Sequence, residues 1–167
     1  VKTNAGCYGR EAKDVIISAQ VVNGEGDISS IPVEDLMLSY RSSFFPEDWI
    51  ITAITFRTHA DTPEHIMEII NDQKNKRMKS QPHNVKTAGS TFKNPEGLKA
   101  WELIKKSGCD KLSVGGAKVS EVHCNFLVNT GGATAKDIET LGETIIKQVR
   151  DKTSITLEWE IKRVGIN

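Results

Sequence analysis

Hydrophobic residues in this chain follow two patterns, short β-branched runs and longer stretches with helical spacing. Val15–Val22 and Trp49–Arg57 are rich in β-branched residues, and each predicts a strand. Asn23–Asp27, which contains two glycines, predicts a tight turn after the first of these strands. Lys118–Asn129 predicts a strand or a pair of short strands, and Ile155–Val164 alternates as a further strand. Strands are therefore expected from one end of the chain to the other.

Helical spacing and capping residues predict two long helices. Thr62 is a suitable N-cap and Pro63 suits the first helical position, so a helix is expected to run from there to the basic segment Lys74–Lys79. Thr134 is expected to cap a second long helix. The apolar stripe of that second helix consists of Ile138, Leu141, Ile145, Ile146 and Val149. Both helices have a start signal and an apolar face.

Two shorter elements complete the pattern. Pro32–Leu38 predicts a short helix or turn, and Leu98–Ile104 has near-helical spacing with Gly108 as its C-terminal stop. Strands alternate with helices, and the chain has no repeats or low-complexity tracts. The predicted class is mixed, α+β.

Composition and charge exclude several classes of function. The chain has 167 residues, 38% of them hydrophobic, and its 22 basic and 22 acidic residues cancel. A zero net charge argues against nucleic acid as a partner, and no apolar run approaches the roughly 18 residues of a membrane span. Cys7, Cys109 and Cys124 lack metal-ligand spacing and are odd in number, which favours a reducing cytoplasm over a disulfide framework. The four histidines form no cluster, so no metal site is expected.

The richest candidate chemistry lies in Gly89–Pro95, which reads GSTFKNP. Gly89 permits close approach of a ligand to the backbone, and Pro95 fixes the exit of the segment. Ser90, Lys93 and Asn94 supply a hydroxyl, a positive charge and an amide. Taken alone, the segment is more typical of a polar turn before a helix.

Further polar clusters occur elsewhere, each with a plain structural alternative. Asn4–Glu11 has small residues around a tyrosine, as a ligand-binding turn or an ordinary glycine turn would have. Arg41 lies in Tyr40–Ser43 and could hold a carboxylate or form a surface ion pair. Leu157–Arg163 alternates charged and apolar residues, as on a solvated strand face. His123 and Asn125 are also expected on one face of a strand, and a lone histidine beside a cysteine is more often structural than a ligand or a base.

In order along the chain, these clusters resemble a known family. The succession NAGCYG, YRSSFF, QP…AGSTFKNP, VGGAKVSEVHCNFLVNTGGATAKDI and LEWEIKRVG is similar to the UDP-N-acetylenolpyruvoylglucosamine reductase (MurB) family of bacterial peptidoglycan synthesis. The resemblance extends from Asn4 to Gly165, and AGSTFKNP is among its most specific parts. It implies a cytoplasmic, monomeric flavoenzyme. NADPH reduces bound FAD, and the enolpyruvyl group of the UDP-sugar is then reduced to give UDP-N-acetylmuramate.

The resemblance also implies catalytic roles for three residues. Ser90 matches the general acid that protonates C2 of the substrate. Arg41 matches the arginine that stabilises charge on the substrate carboxylate during hydride addition. Glu160, preferred over Glu158 by its distance from Gly165, matches the family's catalytic glutamate. In its protonated form it would hydrogen-bond the enol form together with Arg41.

Binding roles follow from the same resemblance. Lys93 and Asn94 are expected to contact the substrate carboxylate or phosphate and the enolpyruvyl region, and Gln81 and Arg77 the UDP-sugar. The cofactor is expected to contact one turn of six residues, Asn4, Ala5, Gly6, Cys7, Tyr8 and Gly9. Cys7 stands there in place of a smaller residue that is common in the family.

The family's chain is close to twice as long, which implies a domain division for this one. Residues 1–58 are expected to form the rear of a FAD-binding, vanillyl-alcohol-oxidase-like α+β domain. Residues 59–167 are expected to form an α/β substrate-binding domain. An alternative is that its last strand pairs with the flavin domain instead. Some members of the family have an inserted segment with a lid tyrosine before GSTFKNP. This chain lacks it and resembles the subtype without the insertion. The isolated chain is expected to hold FAD poorly. The alternatives are an inactive fragment that only binds the UDP-sugar and a purely structural α/β domain.

Overall fold

A computed structural model describes residues 1–165 of the chain. The chain divides into two compact units, Val1–Thr62 and Pro63–Asn167. Each unit has its own cluster of buried apolar side chains. Helices and antiparallel strands together make this an α+β chain, as predicted. Over residues 1–165, no helix combines the length and the apolarity needed to span a membrane.

The first unit is built from short antiparallel pairs. A hairpin of β1 (Gly6–Cys7) and β2 (Arg10–Glu11) is followed by a 3₁₀ turn, Ala12–Asp14. A three-stranded sheet then pairs β3 (Ile16–Val22), β4 (Ile28–Pro32) and β5 (Ile50–Phe56) in the order β4-β3-β5. A second 3₁₀ turn, Val33–Leu36, follows β4. The buried cluster comprises Ile16, Ala19 and Leu36.

Most elements of the first unit agree with their prediction. The two β-branched runs are β3 and β5, and Val33–Leu36 is the expected short helix or turn. The sequence pattern gave no sign of β4, because its two serines and terminal Pro32 are not typical of a buried strand. Those residues suit an edge position, where proline removes no ladder hydrogen bond.

The second unit packs its last helix against a four-stranded antiparallel sheet. In chain order it contains α1 (Pro63–Ser80), β6 (Lys86–Ser90), α2 (Ala100–Lys106), β7 (Ser113–Val114), β8 (Ala117–Val119), β9 (Phe126–Asn129) and α3 (Ala135–Thr153). The strands lie in the order β6-β9-β8-β7. Lys118–Asn129 is therefore a pair of short strands, one of the two predicted options.

Helix α3 supplies much of the core of the second unit. Thr134 Oγ1 accepts a hydrogen bond from Asp137 N at 3.1 Å, and Asp137 Oδ2 accepts one from Thr134 N at 2.9 Å. This reciprocal capping box fixes the start of the helix. Leu141, Ile145 and Val149 are fully buried, with the other members of the predicted stripe packed beside them. The predicted helix, its cap and its apolar face are all confirmed.

Two predictions of strand structure in the second unit are wrong. Ile155–Val164 contains no strand but a single bridge between Trp159 and Phe92. Its partner segment reaches Pro95, which has no N–H to extend a ladder, and a turn follows at Glu96 and Gly97. His123 and Asn125 share no strand face either, because β8 ends at Val119 and β9 begins after them.

Candidate functional site

Ser90 lies at the end of β6, where the strand changes course. Gly89 has φ of +93°, a region that L side chains rarely adopt, and the β6–β9 register shifts between Thr87 and Ser90. Ser90 is half-buried and pairs with Phe126 across the sheet. The predicted proton donor is thus the last paired residue of a strand, immediately before a loop.

The loop after Ser90 is held between two other segments of the second unit. On one side, Thr91 N donates to Asn125 O at 2.7 Å, and Thr91 Oγ1 accepts from Leu127 N at 3.3 Å. On the other side, Thr91 O accepts from Glu160 N at 2.8 Å. Thr91 is fully buried and carries bonds in both directions. The segments that carry Ser90 and Glu160, two of the predicted catalytic residues, are therefore joined through one residue.

Asn125 reinforces this arrangement with its side chain. Its Oδ1 accepts from Phe92 N at 3.0 Å, and its Nδ2 donates to Phe92 O at 2.9 Å. Asn125 is 4% exposed and Phe92 is 1% exposed, so both bonds are shielded from water. The sequence pattern placed Asn125 only on a strand face with His123, and this contact was not predicted.

Glu160 is positioned through its neighbour Trp159. The Trp159 ring lies 5.2 Å from the Phe92 ring, centroid to centroid, and its Nε1 donates to Glu143 Oε1 at 3.0 Å. The indole also fills a notch at Gly142, where an added Cβ would lie 1.9 Å from Trp159 Cη2. Glu160 itself is half-buried. Its position therefore depends on how α3 receives the indole.

Lys93 and Asn94, the predicted substrate contacts of the loop, both have partners within the unit. Lys93 N donates to Glu158 O at 2.9 Å, and Lys93 Nζ lies 3.2 Å from Glu158 Oε2. Asn94 Oδ1 accepts from Ala100 N at 3.0 Å and so helps to start α2. An anionic ligand at Lys93 would compete with a carboxylate that is mostly exposed to solvent.

Arg77 and Gln81 lie together beside the end of β6. Arg77 Nε donates to Gln81 Oε1 at 3.1 Å, and both line a cavity of about 310 Å³. Gly89 and Phe126 border the same cavity, which also has Lys74 and His83 in its wall. The predicted UDP-sugar residues thus share a basic cavity with Gly89, which precedes Ser90, and Phe126, which pairs with Ser90 across the sheet.

A larger cavity of about 470 Å³ has walls that the sequence did not single out for binding. It is lined by Ser80, Trp101, Lys105, Lys111 and His123, among others. Burial lowers the pKa of His123, which therefore stays neutral at pH 7, and its ring lies 5.0 Å from that of Phe126. The exposure of Trp101 on α2, 38%, is a feature of the fold that its helical spacing could not reveal.

In the first unit, the predicted cofactor turn is a tight hairpin. Tyr8 and Gly9 form its two-residue loop with φ of +53° and +77°, as type I′ turns require. Ala5–Gly9 are exposed, and Ala5–Cys7 carry only small side chains, so their backbone is open to a flat ring or a phosphate.

Asn4 has a different environment from the rest of that turn. It is fully buried, its Nδ2 donates to Glu11 Oε2 at 3.0 Å and to Ser39 O at 3.2 Å, and its Oδ1 accepts from Lys13 N at 3.0 Å. Hydrogen bonds from Lys13 and Asn4 lower the pKa of Glu11. The Asn4 side chain therefore holds the turn in place and is not directed outward.

Arg41 occupies a second tight turn of the first unit. Ser39 and Ser42 exchange two backbone hydrogen bonds of 3.0 and 3.1 Å, which leaves Tyr40 and Arg41 at the tip. Arg41 has φ of +54°, and its guanidinium lies 5.0 Å from the centre of the Tyr40 ring. Because Asn4 bonds to Ser39, the predicted cofactor turn and the predicted arginine lie on adjoining turns.

In the part of the chain that the structure describes, no three His, Cys, Asp or Glu side chains converge as around a metal ion.

Comparison with known proteins identifies the family. The family model described as UDP-N-acetylenolpyruvoylglucosamine reductase, C-terminal domain, matches residues 81–164. The chain belongs to this reductase family. The match includes the loop after Ser90, the Asn125 contact and Glu160, so the residues that meet at Thr91 all lie within the family's C-terminal domain.

Individual reductases are similar over nearly the entire chain. The reductase of Novosphingobium aromaticivorans is 48% identical over 99% of this chain, which corresponds to 56% of that relative. The reductase of Rhizorhabdus wittichii is 46% identical over 100% of this chain and 55% of its own length. The crystal structure of the Thermus caldophilus reductase superposes with a TM-score of 0.81 at 34% identity, covering 95% of this chain and 57% of that one. The chain thus spans a little over half the length of these reductases.

Proposed function

We propose that this chain carries the proton-donating half of the reduction of UDP-N-acetylglucosamine enolpyruvate to UDP-N-acetylmuramate, an NADPH-dependent and FAD-mediated step of peptidoglycan synthesis. The observation that supports it best is the 2.8 Å hydrogen bond from Glu160 N to Thr91 O. It holds the segment of the proposed glutamate against the residue that follows the proposed proton donor. The names and extent of the matching reductases support the same activity.

Ser90 is the proposed proton donor to C2 of the enolpyruvyl group. Hydride addition at C3 leaves an electron pair at C2, delocalised into the carboxylate. As the new C2–H bond forms, the Ser90 O–H bond breaks, and the resulting alkoxide is reprotonated from solvent. A serine hydroxyl is a weak acid, so its reach to C2 depends on a fixed backbone. The half-buried end of β6 provides such a backbone.

Arg41 and Glu160 are the proposed electrostatic partners of this step. Arg41 would stabilise the growing negative charge on the substrate carboxylate by a two-pronged hydrogen bond. Glu160, in its protonated form, would donate to the enol form of the same group. Its half-buried position in the second unit suits this role better than that of Glu158, whose side chain is 74% exposed and bonded to Lys93.

The hairpin Ala5–Gly9 is the proposed flavin contact of the first unit. Its exposed backbone and small side chains fit a planar ring, and Asn4 would maintain its shape from inside the unit. When bound, FAD supplies the hydride that adds to C3, with NADPH as the source of reducing equivalents. The free thiols Cys7, Cys109 and Cys124 support a location in the reducing cytoplasm.

The substrate's nucleotide part is proposed to bind in the second unit. Lys74 and Arg77 give the smaller cavity the positive charge that a diphosphate requires, and Gln81 adds an amide. Lys93, in the loop after Ser90, would bind the substrate carboxylate or phosphate in place of the Glu158 carboxylate. Both cavities belong to the second unit alone, which favours UDP-sugar binding as the activity that the chain would retain without a flavin.

The test is substitution of Ser90 in the full-length product of the gene. Ser90→Ala is expected to slow reoxidation of the reduced flavin by the enolpyruvyl sugar by about 10²–10⁴-fold, the usual contribution of a positioned general acid. Reduction of the flavin by NADPH is expected to keep its rate. The matched control is Ser113→Ala, on the exposed edge strand β7. Unchanged product formation in the Ser90 variant would remove the assigned role.

A further inference from the structure

The Asn125 side chain acts as an extra backbone group for the sheet. The β6–β9 ladder ends at the Ser90–Phe126 pair, and the main-chain oxygen of Asn125 then accepts from Thr91 N at 2.7 Å. One residue further, the Asn125 amide accepts from Phe92 N at 3.0 Å and donates to Phe92 O at 2.9 Å. A primary amide presents the same acceptor and donor as a peptide unit. Asn125 thus extends the pairing on the β9 side by two residues beyond Ser90, opposite the backbone bonds that the segment makes with Glu158 and Glu160.

We infer that Asn125 is a positioning residue for the proton transfer, an inference that rests on the proposed function of Ser90 and Glu160. It touches neither the substrate nor the reacting atoms. By locking Phe92 it fixes the backbone between Ser90 and Lys93, and that backbone receives the Glu160 N–H at Thr91 O. Asn125 therefore sets the relation between the serine hydroxyl and the glutamate.

Burial makes this role specific to asparagine. Phe92 is 1% exposed, so water cannot replace a lost partner at its N–H or C=O. An aspartate at position 125 would still accept from Phe92 N but would turn a lone pair toward Phe92 O. Alanine would leave both groups without a partner. Either change is expected to let the 91–93 segment move and to shift Ser90 away from C2.

The test measures the two half-reactions separately in the flavin-loaded, full-length gene product. Asn125→Asp and Asn125→Ala are expected to leave flavin reduction by NADPH unchanged. Reoxidation by the enolpyruvyl sugar should slow on the order of 100-fold, as for a misplacement of about 1 Å. Hydrogen exchange at the Glu160 amide should accelerate in both variants, which gives a readout that does not depend on activity.

Asn129→Ala is the matched control. Its Oδ1 accepts from Gly131 N at 2.8 Å and from Ala133 N at 3.1 Å, so it also fixes backbone by side-chain hydrogen bonds, but in the exposed to partly buried turn before α3. It should leave the ratio of the two half-reaction rates as in the wild type.

Each outcome decides the inference. If Asn125→Ala fails to fold, Asn125→Asp, which keeps the size of the side chain, is the deciding variant. Reoxidation at the wild-type rate in Asn125→Asp would overturn the role of Asn125 alone, and so would an equal loss in both half-reactions. A wild-type protein whose flavin is not reoxidised by the sugar nucleotide would overturn the proposed function and this role with it.

Discussion

At the scale of single residues, Thr91 is the point on which the candidate site depends. Its N–H, carbonyl and hydroxyl oxygen bond to Asn125, Glu160 and Leu127. Its polar side chain is fully buried, and a buried polar group persists only where its hydrogen bonds are satisfied. Sequence reasoning singled out its neighbours Ser90 and Lys93, because their side chains carry evident chemistry. Thr91 itself carries no evident chemistry in the sequence, and its burial became visible only in the structure.

Replacement of Thr91 by valine isolates the contribution of its hydroxyl. Valine has nearly the same shape, but it leaves Leu127 N–H without its buried acceptor. The free energy of unfolding is expected to fall by about 1–3 kcal/mol, the cost of an unsatisfied buried donor. Urea unfolding of the second unit measures the change. Thr91→Ser should regain much of the loss.

Thr144→Val is the control for this measurement. Thr144 Oγ1 donates to Thr140 O within α3, so the substitution leaves only a carbonyl that already bonds within the helix. A change within about 0.5 kcal/mol is expected there. An equal effect of both valine substitutions would contradict the special role of the Thr91 hydroxyl.

At the scale of elements, α3 and the segment after it pack together and jointly position Glu160. The helix buries its apolar stripe in the core, and Gly142 opens a notch in its surface that receives Trp159. Trp159 then meets Phe92, so the helix indirectly places Glu160 beside the loop after Ser90. A glycine inside a helix lowers its stability, and the indole notch is the packing reason for it.

Gly142→Ala sets two effects of opposite sign against each other. Alanine improves helix propensity by about 1 kcal/mol. The new methyl carbon would lie 1.9 Å from Trp159 Cη2, which a rigid ring cannot avoid without moving away. Overpacking of this kind costs about 1–3 kcal/mol, so a net loss of stability is expected, together with a shift of Trp159 fluorescence.

Lys147→Ala on the exposed face of α3 is the control, and it should leave both the stability and the fluorescence unchanged. The double variant Gly142→Ala, Trp159→Leu should lose less than the sum of its two single changes, because the clash is then absent. A Gly142→Ala protein as stable as the wild type, with unshifted fluorescence, would contradict the packing described at the notch.

Whether an element could be predicted depends on whether its own residues or its pairing partners determine it. Helix α3 and strands β3 and β5 could be predicted because caps and β-branched runs are local features. Strand β4 and the hairpin of β1 and β2 could not, because their pairing is set by partners and not by their own composition. Ile155–Val164 has the alternation of a strand but pairs with the facing segment only at the Trp159–Phe92 bridge, because that segment continues into Pro95 and a turn.

The site shows the same division. The residue types in GSTFKNP and the resemblance of the ordered motifs pointed to Ser90 and Glu160, and the structure brings their segments together at Thr91. The hydrogen bonds of Asn4 to Ser39 and of Asn125 to Phe92 join residues that are far apart in sequence. The sequence pattern does not show contacts between such distant residues, so neither of these hydrogen bonds was predicted for Asn4 or Asn125.

At the scale of the whole molecule, the two units are distinct in their cores. The buried cluster of the first unit is centred on Ile16, Ala19 and Leu36. The larger cluster of the second unit lies entirely between Phe92 and Leu157. Since the cluster of the second unit draws on no residue of the first, the second unit has the apolar interior that a separately folding domain requires.

This separation predicts that residues 63–167 fold and bind the UDP-enolpyruvyl sugar on their own. The fragment retains the core between Phe92 and Leu157, both cavities, and the contacts at Thr91. Cooperative thermal unfolding and heat of binding in a titration with the sugar nucleotide are the expected results. Arg77→Ala, which removes a cation from the smaller cavity, should weaken binding about tenfold or more, as for loss of a hydrogen bond to a charged group. Lys147→Ala should bind as the parent fragment does. A folded fragment that gives no heat with the sugar nucleotide would favour a purely structural domain, whereas one that fails to fold would show that its core depends on the first unit.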